Sequence, residues 1–176
     1  MLDDEVAAHR GAILERWIGE VIEGYPEETA EFLRSQSDRF ANPVGARLRE
    51  GLTQLLDGLL EGVEPTELES ALDHVIRIRA VQQFSPSIAV GFVFDLKGLL
   101  REVVGAPGVG LAPWLATLDG RIERLGLYAF DVYMRCREQM WEIRAREIRN
   151  QSVGIMERVA AWRERREKTS ETVPST

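Results

Sequence analysis

The side chains best suited to ligation or nucleophilic chemistry in this 176-residue chain are His74 and Cys136. His74 precedes two arginines, Arg77 and Arg79, in the segment LDHVIRIR. A neutral imidazole at such a place can hold a heme iron, so His74 is the one candidate cofactor ligand. The plainer reading is a polar histidine on a half-buried helical face. Cys136 stands between Arg135 and Arg137. Nearby cations can lower a thiol pKa and favour the reactive thiolate. Adjacent helical residues point in different directions, however, so neither arginine need reach the sulfur. Its spacing suits a small buried hydrophobe better than a redox sensor.

No other constellation carries chemistry. Two histidines and one cysteine cannot make a zinc cluster. The Glu-x-x-His pairs of di-metal bundles and the G-x-S-x-G nucleophile turn are both missing. The glycine-rich stretch GAPGVG at 105–110 has no lysine-serine pair behind it and no strand before it. It reads as a helix stop and connection. Asp131–Arg135, Glu142–Arg146 and Arg135–Glu138 are spaced as helical ion pairs of about 0.2–0.5 kcal/mol each. The expectation is a protein without catalytic residues and without a metal site, not an enzyme.

The element that would position His74 and Cys136 relative to a partner is the stretch Arg121–Arg149. Apolar residues recur there at Ile122, Leu125, Ala129, Val132, Cys136, Met140 and Ile143, three or four apart. That keeps them on one helical face. Val132, Cys136, Met140 and Ile143 are the expected interface residues. From Pro113 to Lys168 the chain could extend about 80 Å as a helix, more than a small domain needs. Gly120, Gly126 and Gly154 are the expected interruption points.

Upstream, shorter helices are predicted. The first spans about Asp3 to Glu23, with Val6, Ile13, Leu14, Trp17, Ile18 and Val21 inward, and Gly24-Tyr25-Pro26 ends it. A short helix through PEETAEFL buries Phe32 and Leu33. Asn42 caps a third helix with Pro43 at its first position. It runs to about Glu61 and buries Val44 and five leucines. Gly51 and Gly58 within it mark close helix crossings. Thr66 and Glu69 form a T-x-x-E capping box for a fourth helix ending near Phe84. Pro86 opens a fifth helix to Val104, apolar nearly all round and therefore central. Nothing alternates with period two, so the fold class is all-α: six or seven helices, the last one long. TSETVPST reads as a disordered tail.

The chain is acidic overall, at −7, but residues 121–168 carry +4 and the rest −11. An acidic body argues against nucleic acid as partner. Twenty of the 22 basic residues are arginine, which suits planar contacts at interfaces or reflects base composition. A single cysteine, an acidic N-terminus and no apolar run near 20 residues predict a cytoplasmic protein without membrane insertion.

Three stretches add a resemblance: SDRFANPVG at 37–45, HVIRIRAVQQFSPSIAVGFVFDLKGLLRE at 74–102, and AFDVYMRCREQMWEIRAREI at 129–148. Together they resemble the RsbR/RsbD N-terminal domain, the sensor half of the RsbT co-antagonist proteins of bacterial stressosomes. The resemblance implies a globin-like helical fold over about 1–150, a homodimer, and an interior without heme. It also implies a signal passed along a C-terminal helix, with 151–176 as helical extension and tail. No STAS output domain follows here, so a stand-alone subunit acting on an unidentified protein partner is expected. The alternatives are a heme or apolar-ligand-binding protein using His74, and a pure adaptor without a ligand.

Overall fold

The computed structural model describes the backbone of residues 2–35, 40–104 and 111–171, and the side chains of 8–34, 40–103 and 113–163. The GAPGVG connection, residues 36–39, the Val6 side chain and the last five residues lie outside this range. Six helices follow in order: α1 (Leu2–Glu23), α2 (Glu27–Ser35), α3 (Pro43–Glu61), α4 (Glu69–Val81), α5 (Pro86–Val104) and α6 (Leu111–Glu171). No strand occurs among the described residues. The chain divides into two units, Met1–Cys136 and Arg137–Thr176.

The first unit holds the core. α1 packs on α5, α2 and α3, and α3 packs closely on α4. Ile13, Trp17, Leu48, Leu52, Leu55, Leu72, Ile76, Leu96, Ile122 and Leu125 are fully buried. The apolar period anticipates most of these. Trp17 stacks on Phe92 at 5.8 Å, and its ring nitrogen donates to the Phe92 carbonyl at 2.8 Å, satisfying the one polar atom it brings inside.

α3 shows how local signals set an element. The Asn42 side chain accepts from the Gly45 amide at 2.8 Å, and Pro43 occupies the first turn, where its missing N–H costs nothing. At the other end Gly62 takes φ 80°, the left-handed conformation that glycine adopts without strain. Arg121 of α6 lies over Gly62 and donates to the carbonyls of Leu59 and Leu60 at 2.9 and 3.0 Å. A cation thus closes the negative end of the helix. The two glycines inside α3 do mark close crossings. A Cβ on Gly51 would stand 2.9 Å from Val75 Cγ2 and 3.0 Å from the Ala71 carbonyl. One on Gly58 would stand 2.5 Å from Leu68.

Several expectations change. The T-x-x-E capping box is not used: α4 begins at Glu69 after backbone turns over 64–69, and Leu68 makes no side-chain cap. The Glu69 carboxylate instead takes Tyr128 and Arg135 of α6. α4 stops at Val81, where Gln83 adopts φ 62°. Phe32, Val44 and Ile88 are exposed rather than core. None of Gly120, Gly126 and Gly154 interrupts α6, and the helix includes Thr169–Glu171 of the predicted tail. The Phe94 ring sits where a Cβ on Gly126 would be, so this glycine serves packing and not a break.

Candidate functional site

The most unusual side chain in the core is Arg79, which is 3% exposed. It continues the inward face of α4 after Leu72, Val75 and Ile76. Its guanidinium carbon lies 5.3 Å from the Tyr25 ring, 4.9 Å from Phe84 and 5.4 Å from Phe92. Tyr25 and Phe84 meet edge to face at 5.2 Å. Nη2 donates to the Ile88 carbonyl at 3.0 Å and Nη1 to the Val21 carbonyl at 3.4 Å. Val21 lies in the last turn of α1, where carbonyls lack helical donors. Among the described residues no carboxylate forms an ion pair with Arg79, and its Nε and the Tyr25 hydroxyl are buried without hydrogen-bond partners. Burial pushes the guanidinium pKa down and the Tyr25 phenol up. A cation held by three π-faces and two carbonyls ties α4 to the end of α1 and the start of α5. That is a structural clamp. The signal for it lay in the sequence, as an arginine at i+7 of an otherwise apolar stripe.

Cys136 ends the first unit and is buried. Its sulfur donates to Asp73 at 3.7 Å, and Asp73 is held by Arg77 at 2.9 and 3.0 Å. Burial first, then the Asp73 charge, push the thiol pKa up, outweighing Arg77 and Arg135. The surroundings thus favour the thiol over the thiolate. The small-hydrophobe reading matches the burial.

His74 lines a groove of about 490 Å³ between α3 and α4, with Val44, Arg47, Asp73, Arg77 and Val81. Its Nδ1 is buried without a hydrogen-bond partner. No group of three or more metal-ligating side chains forms among the described residues. The groove, two of whose lining residues, Val44 and Arg47, come from the start of α3, was not legible in the α4 sequence alone.

The four expected interface residues separate. Val132 and Cys136 are buried within the first unit itself. Met140 is half-buried and Ile143 is exposed. The second unit carries a different stripe. Trp141, Ile148, Ile155 and Trp162 recur every seven residues and are 60, 64, 54 and 52% exposed. Ala145, Ser152 and Val159 fall between them, completing an a/d heptad with the large residues at d. A pattern of period seven is missed when the stripe is followed at 3.6. No helix among the described residues is long and apolar enough to cross a membrane.

No curated protein and no solved structure matches this chain. The profile of the RsbT co-antagonist protein rsbRD N-terminal domain matches residues 11–148, which covers the bundle and the first turns of the second unit. The resemblance carried by 37–45, 74–102 and 129–148 thus extends over most of the chain, and the protein belongs to the rsbRD N-terminal domain family of RsbT co-antagonists.

Proposed function

We propose that the protein is a non-enzymatic cytoplasmic sensor domain of the stressosome type, with a globin-like bundle, that works as a homodimer and hands its state to another protein through α6. Family membership supports the regulatory role. The observation that carries the mechanism is the exposed heptad from Trp141 to Trp162. Exposed tryptophan and isoleucine at such regular spacing gain roughly 1.5–3 kcal/mol each when buried, and a second helix with the same seam buries them reciprocally. Light scattering over a concentration series checks this. A dimer at micromolar concentration, converted to monomer by Ile148→Glu with Ile155→Glu, is the expected result. A wild-type monomer at high micromolar concentration ends the dimer reading.

A second reading keeps His74 as a heme ligand. It stands on the buried Nδ1 without a partner in the groove wall. An absorbance spectrum after heme supplementation decides it: no Soret band, or a band untouched by His74→Ala, removes it.

A further inference from the structure

The groove between α3 and α4 has the makings of a small-molecule site. It is about 490 Å³, within the range that holds a compact ligand. Part of the lining is apolar: Val44, Ile78 and Val81, of which Val44 and Val81 are exposed. Each helix also supplies a cation, Arg47 from α3 and Arg77 from α4. Arg77 is held by Asp73, whereas Arg47 forms no ion pair among the described residues. Between them His74 presents a buried ring nitrogen that makes no hydrogen bond. The wall has two arginines against one aspartate on a body whose residues outside 121–168 sum to −11. A locally positive, half-apolar groove on an acidic surface selects against cations and against purely apolar molecules.

We propose that this groove binds a small monocarboxylic acid with a compact apolar body. The carboxylate pairs with the planar guanidinium of Arg47, which presents two parallel N–H donors matched to its two oxygens. The apolar body covers Val44 and Val81. A carboxylate fits better than a phosphate, because Arg47 is the one groove arginine without an ion pair among the described residues and Asp73 in the same lining repels a dianion more strongly than a monoanion. The site also abuts Asp73, the residue that touches Cys136 where the first unit ends. The proposed occupant gives the sensor a ligand class, and in that respect rests on the regulatory reading above.

The test is calorimetric titration of the full-length protein with benzoate, phenylacetate and hexanoate, each compared with its primary amide at millimolar concentration. At least one acid should bind saturably with one site per chain, and its amide should bind at least about tenfold more weakly, since charge-assisted hydrogen bonds are lost. Arg47→Gln, a surface change that leaves thermal unfolding in place, should weaken the acid by a similar factor. Inorganic phosphate should not displace it. The proposal is overturned if no acid saturates, if acid and amide bind alike, if Arg47→Gln binds as wild type, or if phosphate competes equally. Loss of binding would leave the dimer measurement untouched, and a monomer would leave binding untouched, so the two readings fail separately.

Discussion

Arg79 shows how a single side chain can be both costly and necessary. Taking a guanidinium out of water is expensive, and among the described residues no carboxylate pairs with it directly, Asp95 acting only through its field. Three aromatic faces and two carbonyls offset the cost in part. The volume it fills between α1, α4 and α5 matters as much as its charge. Arg79→Ala should therefore lose roughly 2–5 kcal/mol in urea unfolding, as large-to-small core changes do. Arg79→Met, which keeps most of the volume and sheds the charge, should lose less than about 1.5 kcal/mol. Equal losses in the two variants would assign the stabilisation to the charge instead. Glu20 makes the opposite case at the α1–α5 contact. Glu20 is exposed, yet partial desolvation, with Asp95, Glu102 and Glu23 nearby, raises its pKa above the ordinary carboxylate value despite Arg16. A raised folded pKa means stability that is full below the unfolded pKa and is lost as pH rises through the folded one. Glu20→Gln should thus raise Tm at pH 7 and have no effect below about pH 4, where the carboxyl is neutral in both states. A gain that persists unchanged at low pH would refute the electrostatic cause.

Among the helices, α3 and α5 use glycine in opposite ways. Gly51 has no room for a side chain because Val75 and the Ala71 carbonyl of α4 press against it. Gly98 on α5 has nothing within 4 Å. Gly51→Ala should cost about 1–3 kcal/mol by forcing α3 and α4 apart. Gly98→Ala should stabilise by about 0.5–1 kcal/mol through helix propensity alone. Chemical denaturation of both variants reads the contrast, and the reverse order would mean that the α3–α4 contact yields easily. The crossing at Gly51 was legible as a glycine in an otherwise leucine-rich helix. The fate of Glu69 was not. Its spacing from Thr66 matches a capping box, but Tyr128 and Arg135, some sixty residues on, take the carboxylate instead. A long-range ion pair replaces the local rule, and the helix start is met by backbone turns instead.

Taken together, the chain concentrates its buried side chains between Ile13 and Cys136 and its exposed heptad between Trp141 and Trp162. Deleting residues 150–176 should therefore leave the bundle's Tm within a few degrees while abolishing dimer formation in sedimentation. A large drop in Tm would mean that the bundle relies on the second unit. The seam also makes a prediction about salt. In a parallel in-register pair, Arg144 would face the second copy's residue 149 and Arg158 its residue 163, both arginines, against one Arg137–Glu142 attraction. Screening should therefore tighten the dimer between low and physiological ionic strength, where most surface ion pairs would weaken. A dimer that loosens with salt would point to an antiparallel or differently registered pair.

Apolar periodicity, proline and asparagine at helix starts, and the absence of alternation were enough to establish an all-α chain of six or seven helices with a long last one. These signals are local, and each acts within a turn or two of its own residue. The family, too, could be read from three stretches of residues. The Arg79 cage, the pairing of Glu69 with α6, the groove formed by α3 and α4, and the burial of Val132 and Cys136 depend on which helices meet. Those contacts join residues up to 66 positions apart, and their energies come from desolvation and shape. Neither is written in any one segment, so only folding brings them together.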